Sequence, residues 1–263
     1  MGGMVLQRQI GTVYLEKLDL VRPEKTYKAA LCCFFYPPKA DYRELIPYLH
    51  LQERNYYNKL RFEKRIRTYL MGRFVAKHAV ASLTGEANLT NISIQSGIFT
   101  QPVVTPNQGN IQVSITHCDP LGAALAFPEA HPMGIDLEKI SFNKKEVLES
   151  QITKTEKERI SDWPFSYGTG LTLLWTAKEA LSKTLKTGLM TPFEIFEISE
   201  AEVYEDYTIC YYKNFAQYKV LSFTIGSYMC SIVHPFKTGV RFDLNSLKRR
   251  FALLESGNMV VGQ

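Results

Sequence analysis

The sequence predicts an α+β protein made of two similar helix-plus-sheet halves. Each half contains a long segment whose apolar residues recur at helical spacing, accompanied by short apolar or alternating segments typical of strands. No Gly/Ser-rich linker separates the halves, so we expect them to pack tightly. The predicted boundary divides the chain into residues 1–130 and residues 131–263.

The first half is predicted to begin with a strand and to continue through helices into further strands. Residues 27–36 are rich in leucine, cysteine, phenylalanine and tyrosine, a composition that favours a strand. Residues 41–49 and 52–83 are predicted as helices, and Thr84-Gly85 is predicted to end the second of them. Strands are predicted at 92–94, 103–104, 111–116 and 121–127.

The second half follows a similar plan. Residues 133–138 are predicted as a strand, residues 143–162 as a capped helix and residues 171–187 as a strong helix. An internal duplication would explain this similarity, but the sequence reveals no residue-level repeat. Strands are predicted at 193–198, 203–212, 219–225 and 228–233, and a short basic helix at 245–254.

The composition excludes several classes of protein. The 263 residues carry a net charge of +5, and 45% are hydrophobic and 22% charged, as is ordinary for a globular protein. No apolar run approaches the roughly 18 residues that a membrane helix requires, so we predict no membrane association. The cysteines are odd in number and include no CxxC pair, which argues against a zinc site or a disulfide framework and predicts a cytoplasmic location.

A basic segment in the first half allows two interpretations. The ordinary one is a solvated helix face, and the functional one is a surface for nucleic acid, a nucleotide cofactor or an acidic protein. The sequence has no RNP, KH or zinc-finger signature, so we predict no nucleic-acid partner. The segment contains Arg54, Lys59, Arg61, Lys64, Arg65, Arg67, Arg73 and Lys77.

The predicted strand at 133–138 carries a pair of carboxylates. Asp136 and Glu138 are two residues apart, so their side chains project from the same face of a strand, while Ile135 and Leu137 point the other way. Gly134 allows another backbone to approach closely. Taken alone, the pattern also fits a strand with an ordinary polar face.

The predicted helix at 171–187 carries a third carboxylate. Trp175, Lys178, Glu179 and Lys183 lie together beside the core stripe, because residues three and four apart are neighbours on a helix. Glu179 and Lys183 also fit a plain ion pair along the helix. Three carboxylates with adjacent lysines suit Mg²⁺ bound to a pyrophosphate, because this cation prefers carboxylate and phosphate oxygens. No GxxxxGK[ST] or GxGxxG phosphate-binding loop is present.

A histidine ends the predicted strand at 111–116. His117 lies next to the turn at Asp119-Pro120, where it is placed to donate to a phosphate oxygen, although a lone histidine is more often structural. Cys118 is adjacent, but neighbouring residues of a strand face opposite ways, which disfavours a Cys-His nucleophile.

Two of these segments together resemble the signatures of the 4′-phosphopantetheinyl transferases. GIDLE at 134–138 is similar to the family's GIDxE, and WTAKEALSK at 175–183 is similar to its W-[ST]-x-KE-[AS]-x-x-K, in the same order and spacing. Residues 114–117 resemble an upstream N-[IV]-S-H element, with Thr116 in place of serine. Residues 67–77 resemble a basic helix of the family, and Gln101 stands where a lysine often contacts the nucleotide.

The length resembles the long type of this family, named for the surfactin-synthetase activator. That type implies a monomer with an α+β fold, in which two similar helix-plus-sheet halves are related by a pseudo-twofold. The short type, named for holo-acyl-carrier-protein synthase, is about half as long and builds its sites between subunits.

The resemblance implies a reaction. The phosphopantetheine arm of coenzyme A, a co-substrate, would move to a serine of an apo acyl or peptidyl carrier protein, releasing adenosine 3′,5′-bisphosphate. The implied metal is Mg²⁺, with Mn²⁺ as a second possibility. Because the carrier serine supplies the nucleophile, the protein's tasks would be electrostatic. The alternative is a non-catalytic protein that binds coenzyme A or a carrier protein on the same fold.

The resemblance also implies roles for individual residues. Asp136, Glu138 and Glu179 would bind the metal. Lys183, and with weaker support Lys178, would contact phosphate or stabilise the transition state. The other implied roles are a coenzyme A phosphate site at Thr116 and His117, a base at Glu156 that deprotonates the carrier serine, and a 3′-phosphate site at Arg54, Arg65 and Arg67.

Overall fold

The computed structural model describes residues 4–8, 11–37, 40–106, 109–141 and 144–255, and the chain forms two compact units. The first unit extends to Pro132 and also includes Thr238–Ser246. The second unit comprises Met133–Lys237 and the described residues from Leu247 onward. Each unit combines helices with an antiparallel sheet, which confirms the predicted α+β class.

The first unit is built on a sheet with the strand order β1-β2-β3-β7-β6, in which each neighbouring pair is antiparallel, and β13 also pairs with β2. Strands β4 and β5 form a separate antiparallel pair. A 3₁₀ helix, Tyr42–Tyr48, precedes the α-helices. The elements are β1 (Met4–Arg8), β2 (Gly11–Val21), β3 (Thr26–Phe35), α1 (Leu51–Tyr57), α2 (Glu63–Thr84), β4 (Ser93–Ser96), β5 (Pro102–Thr105), β6 (Ile111–Cys118), β7 (Leu121–Pro128) and β13 (Gly239–Arg241).

The second unit is built on an antiparallel sheet with the order β8-β12-β11-β10-β9. The elements are β8 (Gly134–Lys139), α3 (Lys145–Glu149), α4 (Lys154–Ile160), α5 (Tyr167–Leu185), β9 (Ile198–Val203), β10 (Thr208–Tyr212), β11 (Tyr218–Ile225) and β12 (Tyr228–Pro235). The chain then continues through β13 into α6 (Leu244–Glu255).

A long helix covers the sheet in each unit. In the first unit α2 packs on β3, β6 and β7, and Phe74 meets Phe34 with ring centroids 4.7 Å apart. In the second unit α5 packs on β8 and β12, and the predicted core residues Leu174, Ala177 and Leu181 are fully buried. Burying one such leucine contributes about 1.5–3 kcal/mol, so these helix faces hold each unit together.

The helix predicted at 52–83 is wrong as a single element. The structure divides it into α1 and α2, and a turn after Asn58 separates them. This break allows Glu53 on α1 to form an ion pair of 2.5 Å with Lys77 on α2. In one straight helix these residues would lie about 36 Å apart, because each residue adds about 1.5 Å. The predicted end of α2 is confirmed, since Gly85 caps it with a left-handed φ of 82°.

Three predictions in the second half also fail in detail. The helix predicted at 143–162, whose first residue lies outside the described residues, consists of α3 and α4 because Thr153 caps a new helix. The strand predicted at 193–198 is a 3₁₀ helix, Phe193–Phe196, followed by the start of β9. The range 203–212 is not one strand. It contains the end of β9, a turn in which the amide of Tyr204 donates to the carbonyl of Tyr207, and β10, which pairs with β9 as a hairpin.

Other strands lie where the sequence predicts them. The predictions at 27–36, 111–116, 121–127 and 133–138 correspond to β3, β6, β7 and β8, whereas β2 was not predicted. In the part of the chain that is described, no helix is long and apolar enough to cross a membrane.

Candidate active site

The carboxylate pair lies on β8, the edge strand of the second unit's sheet. Asp136 is buried, with 5% of its surface exposed, and Glu138 is half-buried. Ile135 and Leu137 alternate with them and are fully buried. On the neighbouring strand β12, Asp136 lies opposite Ser231. The side chains of Asp136 and Glu138 therefore project from the same face of β8, as their two-residue spacing predicts.

Helix α5 crosses β8 in direct contact at Gly134. A Cβ atom at this position would collide with the carbonyl oxygen of Ala180 and with the hydroxyl of Thr184. Glycine therefore permits the close approach that the sequence predicted. The consequence is that Glu179, the residue before Ala180, is carried to the carboxylate pair.

Two lysines accompany the carboxylates. Lys183 on α5 forms an ion pair of 2.6 Å with Asp136, and its amine also donates to the carbonyl of Ile135 at 3.2 Å. Lys144 forms an ion pair of 2.9 Å with Glu138. The Lys183 side chain is 27% exposed and the Lys144 side chain is 53% exposed, so neither side chain is closed off from solvent.

The electrostatics of Glu179 link it to both strand carboxylates. Burial raises the pKa of Glu179 to about 7, the negative charge of Asp136 adds to this rise, and the positive charge of Lys183 opposes it. Glu138 raises the pKa of Glu179 further. The three carboxylates thus act on one another within a single region of the second unit, where a cation would relieve their repulsion.

The donor set suits a hard divalent cation, but the side chains are not arranged around one. Among the described residues, no group of three or more His, Cys, Asp or Glu side chains is positioned to hold a metal ion. Lysine ammonium groups contact two of the three carboxylates instead. Carboxylate oxygens are the ligands that Mg²⁺ prefers, and Mg²⁺ commonly binds through a few carboxylates together with substrate phosphates. The residues present therefore fit such an ion by their chemistry.

Glu156 and Lys178 form a second, separate cluster in this unit. Their ion pair of 2.7 Å has no exposed side-chain surface. The carboxylate of Glu156 also accepts hydrogen bonds from the backbone amides of Thr153 at 2.9 Å and Ile198 at 2.8 Å. The amine of Lys178 also donates to the carbonyl of Gln151 at 3.1 Å. The structure brings these two predicted residues to each other.

Thr116 and His117 lie at the end of β6 in the first unit. Thr116 is buried, with 4% of its surface exposed, whereas His117 is exposed. Arg67 on α2 forms an ion pair of 2.5 Å with Asp119, in the turn that follows His117. The fold therefore brings Arg67 to the same end of this strand, and His117 is accessible to a ligand there.

The other two predicted arginines lie near α1. Arg54 is exposed and donates to the carbonyl of Pro47 at 3.2 Å, and Arg65 is exposed and reaches the hydroxyl of Tyr56 at 3.5 Å. Their roles as phosphate contacts stay predictions. Gln101, which stands in place of a lysine, instead accepts a hydrogen bond from the amide of Phe99 in the β4–β5 turn.

Sequence reasoning did not identify Lys144 or the pair formed by Glu53 and Lys77. Lys144 follows the end of β8, and its side-chain length lets it reach back to Glu138. The sequence does contain a local feature common to the two buried pairs. His50 and Thr153 each stand three residues before a glutamate, which is the spacing of a capping box at the start of a helix.

The comparisons with known proteins identify the region that contains the carboxylates. Residues 132–233 match the model of the 4′-phosphopantetheinyl transferase superfamily. Over 72 residues the chain is 38% identical to enterobactin synthase component D of Escherichia coli strain K12 and 36% identical to the protein of that name from Shigella flexneri. These matches span 27% of this chain and about a third, 34%, of each relative's length.

A solved structure is also similar in part. The crystal structure of Thermotoga maritima holo-[acyl-carrier-protein] synthase aligns with 50% of this chain and 69% of its own, at 17% identity and a TM-score of 0.28. The matched region of the family model contains β8, α5 and all three carboxylates. Residues 132–233 are thus the part of this chain that matches the 4′-phosphopantetheinyl transferase superfamily.

Proposed function

We propose that this protein transfers the 4′-phosphopantetheine arm of coenzyme A to a serine of an apo carrier protein, releasing adenosine 3′,5′-bisphosphate. The observation that carries the proposal is the set of Asp136, Glu138 and Glu179, which interact electrostatically within the region that matches the superfamily. Lys183 lies beside this set, 2.6 Å from Asp136.

In this proposal the three carboxylates hold a divalent cation, Mg²⁺ or Mn²⁺. When bound, the metal would neutralise negative charge on the pyrophosphate of coenzyme A. Lys183 and Lys144 already balance the carboxylate charge, and in this proposal their ammonium groups exchange these ion pairs for an anionic ligand. Lys183 would then stabilise the negative charge that develops on phosphate as the bond to the departing nucleotide breaks.

The nucleophile in this proposal comes from the carrier serine. The buried cysteines support this division of tasks, because burial raises the pKa of Cys33 to about 12, and Cys32 beside it is also fully buried. A thiol whose pKa is this high forms little thiolate near neutral pH and is a weak nucleophile. The protein would therefore orient two substrates rather than form a covalent intermediate.

We also propose His117 and Arg67 as contacts for coenzyme A phosphates. His117 is exposed at the end of β6, and Arg67 reaches the adjacent turn, so both offer donors to an anion. Thr116, Arg54 and Arg65 remain predicted contacts. Lys178 has no exposed side-chain surface and is paired with Glu156, so we assign it no phosphate contact in this proposal.

Mass spectrometry of carrier proteins tests the proposal. The protein is incubated with coenzyme A, Mg²⁺ and several apo acyl and peptidyl carrier proteins, and each carrier is weighed. We expect one or more carriers to gain the mass of phosphopantetheine, and we expect chelation of the metal to prevent this gain. Coenzyme A binding with no modified carrier would instead support the non-catalytic alternative.

A matched pair of variants ties the activity to the carboxylates. Asp136→Asn removes one charge from the set, and Asp162→Asn makes the same change at an exposed position after α4. We expect Asp136→Asn to lower transfer by about 10²-fold or more and Asp162→Asn to leave it unchanged. Equal activity of the two variants would refute the metal assignment.

A further inference from the structure

The first unit contains a buried ion pair with a distinctive set of contacts. Glu53 on α1 pairs with Lys77 on α2, and both side chains are almost fully buried. The carboxylate of Glu53 accepts from the amides of His50 at 2.8 Å and Ile94 at 2.7 Å. The amine of Lys77 also donates to the carbonyl of Tyr48 at 2.7 Å.

The second unit repeats this arrangement contact for contact. Glu156 caps α4 as Glu53 caps α1, and Lys178 on α5 takes the place of Lys77. Ile198, which donates its amide to Glu156, lies 42 residues after it in the chain. Ile94, which donates its amide to Glu53, lies 41 residues after it. The lysine-to-carbonyl separations are 27 and 29 residues. These contacts form the residue-level repeat that the sequence does not reveal by itself.

The carboxylate set is not repeated in the first unit. Glu179 directly follows Lys178, whereas His78 directly follows Lys77. Five residues after the buried lysine, the second unit has Lys183 and the first unit has Ser82. The buried pair therefore occurs in a unit that lacks the carboxylates. Its shared role is to join a capped short helix, the long helix and the amide of a nearby isoleucine.

In the second unit this joint fixes the rotation of α5. Lys178 and Glu179 are consecutive, so their side chains point about 100° apart around the helix axis. With Lys178 held by Glu156, the adjacent Glu179 is placed where the charges of Asp136 and Glu138 act on it. The hydroxyl of Tyr212 also donates to the carbonyl of Ala177 at 2.7 Å, which holds the preceding residue of the same turn.

We propose that Glu156 is a positioning residue that aims Glu179 at Asp136 through Lys178, and that it does not take the proton from the carrier serine. This inference rests on the proposed function. A general base must come within hydrogen-bond reach of the proton that it removes. Glu156 is 1% exposed, and its two oxygens already accept from two backbone amides and from Lys178.

A double substitution separates positioning from base catalysis. Glu156→Gln leaves the ammonium of Lys178 buried without its counter-charge, and breaking a buried pair in this way is strongly destabilising. Glu156→Gln combined with Lys178→Met removes both charges at nearly constant volume. We expect the single variant to lose roughly 10- to 100-fold in kcat through misplacement of Glu179. We expect the double variant to regain at least about tenfold of that loss.

The outcomes differ clearly if Glu156 is instead the base. Removing a general base costs about 10²–10⁴-fold, and removing the charge of Lys178 restores no base. A double variant as inactive as Glu156→Gln would therefore overturn the positioning role.

The first unit supplies a matched control. Glu53→Gln breaks the same contacts in the unit that lacks the carboxylates. We expect its thermal midpoint to fall about as far as that of Glu156→Gln, while its kcat at saturating coenzyme A stays within about threefold of wild type. If Glu53→Gln lowers kcat as much as Glu156→Gln, the effect of Glu156 is general destabilisation and the inference is wrong.

A second readout separates this inference from the proposed function. The rise in thermal midpoint on adding Mg²⁺ reports the carboxylate set without any carrier protein. We expect this rise in wild type and Glu53→Gln, a smaller rise in Glu156→Gln, and recovery in the double variant. Wild-type protein that responds to Mg²⁺ but modifies no carrier would refute the function, and the Mg²⁺ responses of the variants would still decide the positioning role. Wild-type protein with neither property would overturn both.

Discussion

Lys183 on α5 donates a hydrogen bond of 2.6 Å to the carboxylate of Asp136 on β8, and this ion pair joins the helix to the edge strand. Asp136 is 5% exposed, so the negative charge lies in a poorly solvated position, where a nearby cation has a strong effect. The same lysine would face phosphate when a metal takes over the carboxylates.

Lys183→Met tests this double role. We expect kcat for carrier modification to fall by about 10²–10³-fold, because an electrostatic contact to the developing charge is lost. The measurement is transfer followed by mass spectrometry. Lys154→Met, at a lysine of α4 whose side chain is 90% exposed, is the control and should retain activity. Retained activity in Lys183→Met would remove this lysine from the proposed chemistry.

Gly134→Ala tests the contact between α5 and β8. We expect the free energy of unfolding to fall by about 1–3 kcal/mol, because the new methyl group collides with the backbone of α5. Urea unfolding measures the change. Gly72→Ala on α2 is the control, since its Cβ would meet only Ile115 at an ordinary distance of 3.4 Å. We expect this control to be neutral or stabilising, and equal losses in both variants would contradict the argument.

Glu179→Gln tests the assignment of the third carboxylate. Without metal, this change removes one of three like charges and should not lower the thermal midpoint. With Mg²⁺, wild type should be stabilised by mass action, whereas the variant should show a much smaller rise. Glu158→Gln, at an exposed carboxylate of α4, should respond to Mg²⁺ as wild type does. An undiminished Mg²⁺ response in Glu179→Gln would exclude this residue from the metal site.

The burial of His131 should make the stability of the first unit depend on pH. Its ring is fully buried 2.7 Å from the hydroxyl of Thr238, and burial lowers its pKa, with the positive charge of Arg22 acting in the same direction. The folded state therefore keeps His131 neutral to a lower pH than the unfolded state, which gains a proton as the pH falls below about 6.5. The stabilisation is present above that pH and is lost as the pH falls.

Urea unfolding at pH 7.5 and pH 5.5 measures this effect. We expect the free energy of unfolding of wild type to decrease toward the lower pH, by at most about 1.4 kcal/mol per pH unit from this group. His131→Gln cannot gain this proton, so its decrease should be smaller. An identical decrease in the two proteins would mean that other groups cause the pH dependence.

Local patterns in the sequence were sufficient for the central elements of the candidate site. The alternation of residues at 134–138 places Asp136 and Glu138 on one face, and Gly134 anticipates the close approach of a helix. These features depend on neighbours within a few residues, where strand and helix periodicities act. Strands β6, β7, β11 and β12 were predicted for the same reason.

Long-range contacts decided what the sequence left open. Lys178 and Glu179 are adjacent, and helical spacing alone assigned both to one functional flank, but the structure turns Lys178 to the buried Glu156 and leaves Glu179 facing the other carboxylates. The break between α1 and α2 has a similar origin, since Glu53 must fold back to reach Lys77. Such pairings join residues 22 or more positions apart, and helical or strand periodicity does not encode them.

The sequence by itself determined the α+β class, the two strand carboxylates and the helix that carries the third. Only the tertiary structure decided which charged residues are buried as pairs and which belong to the carboxylate cluster. The physical reason is desolvation: a buried charge is tolerated only beside a specific partner, and that partner is chosen by the packing of distant segments.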